Sequence, residues 1–133
     1  MYVENQIGIK AYEIDSMGIV SNIVYVKWVE DLRHLVLDKY YPYMDMMKEG
    51  KSPILVKTEI EYKRPFTIMD SPIGKLWFSK LDKMRWEISF EFCMNDIIHC
   101  KGKQFGCFFD LGKSKITQMP DWFVEIHKKE SEE

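Results

Sequence analysis

Residues 12–33 read YEIDSMGIVSNIVYVKWVEDLR, in the order strand, acid, glycine turn and helix start. Asp15 stands three residues ahead of Gly18, and a helix-like run begins near Asn22. The first turn of a helix has amide groups without intrahelical partners and the positive end of the helix dipole, so it can hold an oxyanion. A carboxylate on the loop just before that turn is well placed as nucleophile or base. This arrangement suits acyl transfer.

The spacing of the stretch also resembles a known family. It reads Asp-x-x-Gly-x-Val, then five residues to a Tyr, three more to a Trp, and Glu-x-x-Arg, carried by Asp15, Gly18, Val20, Tyr25, Trp28, Glu30 and Arg33. A second element, Tyr62-Lys63-Arg64-Pro65 followed by Asp70, is similar to the Tyr-x-Arg-Pro segment of the same family. Together they resemble the hotdog-fold acyl-CoA thioesterases, in particular the 4-hydroxybenzoyl-CoA thioesterase branch. The likeness covers most of the chain.

The resemblance implies a fold class and a set of site residues. The fold is expected to be α+β, with an antiparallel sheet of about five strands wrapped around a long central helix. Asp15 falls on the family's catalytic carboxylate, which either attacks the thioester carbonyl or activates water; the sequence leaves both routes open. The candidate oxyanion and substrate residues are Gly18, Asn22, Ile23, Tyr25 and Glu30. The candidate residues for the phosphates of CoA are Lys83 and Arg85.

Each of these residues also has an ordinary structural interpretation. Asp15 ahead of a glycine suits a turn or a helix cap. Glu30 suits an exposed helix position that pairs with Lys27 or Arg33, while Tyr25 and Trp28 lie on the apolar stripe of the helix. Glu13 stands where many relatives have an Asp, and Ile19 where many have a His. Both departures leave the acyl specificity open.

Composition narrows the class of protein. A length of 133 residues suits one domain, with residues 1–118 as the hotdog domain and 119–133 as a short amphipathic segment with a charged tail. The net charge of −2 does not favour binding to nucleic acid, and neither a bilayer-spanning run nor a signal-peptide pattern is visible, so we expect a cytoplasmic protein. Three cysteines spaced by seven match no metal pattern and are expected to be buried or half-buried: Cys93, Cys100 and Cys107.

Hydrophobic periodicity predicts the elements. We expect a first strand over 5–12, a helix over 23–40 that ends before Pro42, one or two helical turns over 43–50, and strands over 54–62, 73–82, 85–94 and 97–110. Asn95-Asp96 predicts a hairpin. Gly102 and Gly106 share one strand face, where small residues are expected to let a helix approach. Pro120 opens a short amphipathic segment, and 128–133 is expected to be a frayed tail.

The sequence therefore predicts a cytoplasmic acyl-CoA thioesterase without metal or cofactor. The resemblance implies a homodimer joined edge to edge with active sites between subunits, and frequently a homotetramer. Two alternatives remain: a thioesterase that acts on acyl carrier protein, and a non-catalytic protein that only binds acyl thioesters. The three histidines lie apart from any Ser or Cys nucleophile pattern, and the helix start has no His for a dehydratase.

Overall fold

The computed structural model describes residues 1–132, which form six strands and three α-helices. In chain order these are β1 (Tyr2–Gln6), a 3-10 turn (Ala11–Glu13), α1 (Val24–Tyr40), α2 (Tyr43–Lys48), β2 (Lys51–Tyr62), β3 (Ile73–Leu81), β4 (Trp86–Met94), β5 (Ile97–Asp110), β6 (Lys115–Thr117) and α3 (Asp121–Ser131). The antiparallel sheet has the order β1-β3-β4-β5-β2, with β6 paired to the end of β5. The sheet curls around α1, as the hotdog fold requires, so the expected fold class is confirmed.

Helix α1 is the centre of the hydrophobic core. Its buried side chains recur at steps of three and four along one face: Val24, Tyr25, Trp28, Val29, Leu32, Val36 and Leu37. Burying each large apolar side chain contributes roughly 1.5–3 kcal/mol. The helix ends at Tyr40, two residues before Pro42, as predicted. Leu35 lies off this face and is 38% exposed, whereas Leu37 is buried.

The prediction of the first strand was wrong in its position. The strand covers Tyr2–Gln6 and pairs with the start of β3, where Gln6 lies opposite Ile73. Beyond Gln6 the Ile7 amide still donates to the Pro72 carbonyl. Pro72 has no amide hydrogen to return a bond, so the ladder stops there. The chain then runs irregularly into the 3-10 turn that precedes Asp15.

A bulge in β2 changes which side chains face the core. The register with β5 shifts between Leu55 and Lys57, which leaves Val56 without a partner residue and 68% exposed. Strict alternation over residues 54–62 predicts that Ile54 and Val56 share a face with Thr58, and this prediction is wrong. A bulge adds one residue to one strand and reverses the alternation on one side of it.

The two glycines of β5 make room for aromatic rings rather than for a helix. Gly106 lies opposite Trp86 and Gly102 opposite Phe90 in the β4–β5 register. A Cβ on Gly106 would lie 2.1 Å from Trp86 Cζ2, and one on Gly102 would lie 2.6 Å from Phe90 Cζ. The predicted role was therefore wrong. The helix approaches at Gly74 instead, where an added Cβ would lie 3.0 Å from Leu32 Cδ1.

Most of the other predicted elements are confirmed. Helix α2 and strands β3, β4 and β5 match their predicted ranges to within about two residues, and positive φ angles at Asn95 (54°) and Asp96 (63°) form the predicted hairpin. Strand β6 was not foreseen. Cys93 and Cys100 are buried and Cys107 is half-buried, as expected.

Helix α3 continues through most of the segment that was expected to fray. Phe123 is buried in the core, and the His127 ring nitrogen Nε2 lies 3.0 Å from the Phe78 carbonyl. Glu130 accepts a hydrogen bond from the Tyr40 hydroxyl at 2.9 Å. Residue 133 lies outside the described residues.

Candidate active site

The loop that carries Asp15 is a short antiparallel ladder closed by a turn. Ile14 and Val20 form a β-bridge, and the Asp15 amide donates to the Ile19 carbonyl at 2.8 Å. Gly18 has a φ of +79°, a conformation that glycine adopts without strain, and its amide donates to the Asp15 carbonyl. The ladder fixes the position of Asp15 relative to the residues that lead into α1.

The Asp15 carboxylate is exposed, and its two oxygens have different surroundings. Oδ1 accepts the amide of Met17 at 2.8 Å and that of Ile19 at 3.4 Å, which stabilises the turn. Oδ2 accepts no hydrogen bond from residues 1–132. The turn-forming and catalytic interpretations of Asp15 are therefore compatible, because one oxygen holds the loop and the other faces solvent.

The start of α1 lies at the end of this ladder. The Ser21 amide donates to the Glu13 carbonyl, and the Val24 amide donates to the Ser21 carbonyl, so the first helical amide is already bonded. The preceding amides, those of Asn22 and Ile23, have no acceptor among the described residues. Both residues are exposed. Two adjacent unpaired N–H groups at a helix start can bind an oxyanion.

A shallow cleft of about 190 Å³ adjoins the helix start. Tyr25 forms its floor and is 2% exposed, and burial raises the pKa of Tyr25 to about 12. The Tyr62 hydroxyl donates to the Asn22 carbonyl at 2.9 Å, which ties the end of β2 to the helix start. Lys63 and Arg64 form the rim, and their amides both donate to the His99 carbonyl.

Glu13 has a structural role that the sequence analysis missed. Its side chain is buried, with Oε2 accepting the Trp28 indole N–H at 3.1 Å and Oε1 accepting the Lys10 amide at 2.8 Å. It therefore fastens the segment before Asp15 to α1. Glu13 and Trp28 are 15 residues apart, a separation that matches no local sequence pattern. The sequence therefore does not indicate the contact, which is found from the buried position of the Glu13 carboxylate in the structure.

Comparisons with known proteins show the family of the chain. The family model of the thioesterase-like superfamily matches residues 9–126. The chain belongs to this superfamily. It is 27% identical over 121 residues to a protein of Aquifex aeolicus (strain VF5) named "Putative esterase", covering 90% of this chain and 93% of that protein. The enzyme class of the chain is thus thioester hydrolase, as predicted.

Solved structures of thioesterases share the fold. The DHNA-CoA thioesterase of Staphylococcus aureus superposes with a TM-score of 0.85 at 21% identity, covering 98% of this chain and 89% of that one. A second S. aureus protein, SAV2348, was solved in complex with CoA and superposes with a TM-score of 0.88 at 8% identity, covering 98% and 83%. At these identities the likeness establishes the fold alone.

In this thioesterase fold the predicted site residues fall into three places. Asp15, Gly18, Asn22, Ile23 and Tyr25 lie together at the start of α1. Glu30 lies two turns farther along the helix.

Lys83 and Arg85 lie in the β3–β4 turn, at the opposite end of the sheet from Asp15. The Lys83 Nζ lies 3.9 Å from an Asp121 carboxylate oxygen, and both side chains are largely exposed. One chain alone therefore does not bring Lys83 and Arg85 to the Asp15 loop.

Glu30 does not have the expected ion pair. No Lys27 or Arg33 nitrogen lies within 4.0 Å of its carboxylate in the described part of the chain, so that interpretation was wrong. Glu30 is exposed at the mouth of a separate apolar cavity.

Residues 1–132 include no cluster of three His, Cys, Asp or Glu side chains placed to hold a metal ion. None of their helices has the length and apolar character of a membrane span.

Proposed function

We propose that this thioesterase hydrolyses acyl-CoA, with Asp15 as the catalytic carboxylate. One observation carries the proposal: Asp15 has a free carboxylate oxygen on a loop that leads directly into two unpaired amides at the start of α1. Thioester hydrolysis needs these two elements, a nucleophile or base and a donor for the oxyanion. The family assignment and the CoA complex of the structural relative SAV2348 support CoA as the carrier.

Two routes use the same groups. In the first, Asp15 Oδ2 takes a proton from water, whose oxygen attacks the thioester carbonyl; the C–S bond then breaks and the CoA thiolate leaves with a proton. In the second, Oδ2 attacks the carbonyl itself, the thiolate leaves, and water hydrolyses the mixed anhydride. In both, the amides of Asn22 and Ile23 would stabilise the oxyanion, by roughly 3 kcal/mol for each well-placed donor.

The cleft at the start of α1 is shallow, which supports a site that a second chain completes. Strand β2 is an edge strand of twelve residues, and it exposes Leu55 and Val56. A long unpaired edge is a ready template for pairing with a second copy. We include in the proposal a homodimer joined at β2, with a tetramer as a further assembly; sedimentation equilibrium of the purified chain measures both.

The binding of CoA phosphates by Lys83 and Arg85 is part of the same proposal. Since these residues lie at the far end of the sheet from Asp15 in their own chain, they would serve the Asp15 site of a second chain. Lys63 and Arg64 are exposed at the rim of the cleft beside the helix start of the same chain.

The proposal is tested by comparing Asp15→Asn with Glu30→Gln in a thiol-release assay on aromatic, short and long acyl-CoAs. Asn keeps a side-chain oxygen for the Met17 amide, so the turn persists while the charge and basicity are lost. We expect Asp15→Asn to lower kcat/KM by about 10³-fold with a melting temperature close to that of the wild type. Glu30→Gln is expected to lower it by less than about tenfold.

The outcome separates the alternatives. A large loss in Glu30→Gln with a small one in Asp15→Asn would transfer the catalytic role to Glu30 and contradict the proposal. Binding without turnover for every thioester would indicate a non-catalytic protein. Faster hydrolysis of acyl groups linked to a carrier protein than of the same groups linked to CoA would contradict CoA as the carrier.

A further inference from the structure

A second concavity of about 270 Å³ lies between the carboxyl half of α1, helix α2 and the sheet, away from the Asp15 loop. Its walls are mostly apolar and include Leu37, Met46, Trp86, Ile88, Phe108 and Phe123. All six of these side chains are buried. Arg33 is a wall residue as well, eleven residues after Asn22 and so about 16 Å along the helix axis from it.

Arg33 is a half-buried cation without a counter-ion. No carboxylate lies within 4.0 Å of it among residues 1–132. Its Nη1 donates to the neutral Gln104 Oε1 at 2.8 Å, and Gln104 Nε2 in turn donates to Thr58 Oγ1 at 3.1 Å. Its Nε is buried and is the one buried side-chain nitrogen or oxygen of the described chain that has no hydrogen-bond partner.

A half-buried cation without a counter-ion lowers the stability of the folded chain unless a ligand or partner pairs with it. Burying a charge without a partner costs free energy, and so does an unmet N–H donor. The Gln104–Thr58 chain gives the guanidinium a neutral partner and no negative charge. A guanidinium matches the two oxygens of a carboxylate, and Arg33 lines the cavity that such a ligand would enter.

We propose that this cavity binds a carboxylic acid with an apolar body, whose carboxylate pairs with Arg33 while the body lies among the aromatic walls. The volume holds about nine water-sized groups, which suits a ligand of about ten non-hydrogen atoms. Tyr43 also lines the cavity, and its hydroxyl oxygen interacts with the Arg33 side chain. The hydroxyl proton can donate to the same carboxylate. The acids that thioester hydrolysis releases belong to this class, and only that connection rests on the proposed function.

Glu30 lies at the mouth of the same cavity, and its negative charge should affect the binding of an anion in the opposite direction from the charge of Arg33. Its carboxylate is exposed, so solvent screens its repulsion of a bound anion, whereas the Nε of Arg33 is shielded. Neutralising Glu30 should therefore strengthen the binding of an anion slightly, and neutralising Arg33 should weaken it strongly. The two variants form a matched pair at neighbouring positions of one helix.

The test is calorimetric titration of the full chain with octanoate and with 1-octanol, which has the same chain length and no charge. We expect the wild type to bind octanoate at least about tenfold more tightly than octanol. Arg33→Met should abolish this preference and leave the binding of octanol within about threefold. Arg33→Lys should retain part of it, and Glu30→Gln should keep or increase it.

Three results would overturn the proposal. The first is equal affinity of the wild type for octanoate and octanol. The second is an unchanged preference in Arg33→Met. The third is a lower oligomeric state of Arg33→Met in sedimentation, which would mean that Arg33 pairs with a second chain. If Arg33→Met does not fold, the preference measured in Arg33→Lys decides the question. The titration involves no turnover, so a failure of the thioesterase proposal would appear separately.

Discussion

The two halves of α1 border concavities of different character. At its amino end the cleft is shallow and small and is lined by two exposed cations, Lys63 and Arg64, and the exposed Asp15 lies on the loop that leads into the helix. At its carboxyl half the larger of these two cavities is walled by aromatic and aliphatic side chains, with the half-buried Arg33 as its cation. Within one chain, the candidate reacting groups and this apolar cavity are therefore separated along a single helix. The variants below test the two ends separately.

The largest effect is expected at the carboxyl end, from Gly106→Ala. The new Cβ would lie 2.1 Å from Trp86 Cζ2 and 2.2 Å from the Ile54 carbonyl oxygen, and the backbone carbonyl cannot move away. Trp86 would have to tilt out of the cavity wall and would lose its indole hydrogen bond to the Cys107 carbonyl. We expect the free energy of unfolding in urea to fall by about 3 kcal/mol.

The control is Gly8→Ala, because an added Cβ there meets nothing within 4 Å. It should change the free energy of unfolding by less than about 0.5 kcal/mol. A Gly106→Ala protein as stable as Gly8→Ala would mean that β2 and β4 can separate at this point. The description of the cavity wall as closely packed would then be incorrect.

The same two regions show what the sequence could and could not predict. The turn and helix start at the amino end were predictable because they are local: Asp15, Gly18 and Asn22 lie within eight residues, and turn and helix-start chemistry act over that range. The length of α1 was predictable for the same reason, from apolar periodicity and Pro42. The pairing of Glu13 with Trp28 was not, because it depends on the path of the chain around the helix.

The carboxyl-end cavity was beyond prediction because its parts come from distant segments. Arg33 and Gln104 are 71 residues apart, and their contact depends on the register of β5. The position of Thr58 opposite Gln104 depends on the bulge near Val56, which simple alternation does not reveal. Gly102 and Gly106 were recognised as sharing a face, but which neighbour fills the space became clear only from the β4–β5 pairing.

At the amino end, Glu13→Gln should have an intermediate effect. Both carboxyl oxygens of Glu13 accept hydrogen bonds, from Trp28 Nε1 and from the Lys10 amide. A glutamine has one oxygen and one NH₂ group, so one of the two donors would face another donor. We expect the free energy of unfolding to fall by about 2 kcal/mol. The exposed Glu125, changed to Gln, serves as the control and should stay within about 0.5 kcal/mol of the wild type.

The same variant also tests whether the two ends of α1 act independently. Because Glu13 fastens the segment before Asp15, Glu13→Gln should also lower kcat/KM, while octanoate binding at Arg33 should stay unchanged. Equal losses in both measurements would show that the two ends of α1 respond as one unit, which would contradict their separation.

The smallest effect concerns Tyr25, whose pKa reports how well the amino-end cleft excludes water. Burial raises this pKa to about 12 from an ordinary value of 10. Between pH 10 and 12 the unfolded chain therefore releases the Tyr25 proton while the folded chain retains it, so stability should fall as the pH rises through this range. Tyr25→Phe removes this contribution, and its free energy of unfolding should decline less steeply than that of the wild type, by about 1 kcal/mol per pH unit. Tyr12→Phe, at a position that is 81% exposed, should keep the wild-type slope. Equal slopes in wild type and Tyr25→Phe would mean that water reaches the phenol. The amino-end cleft would then be open to solvent at Tyr25 as well as at its rim.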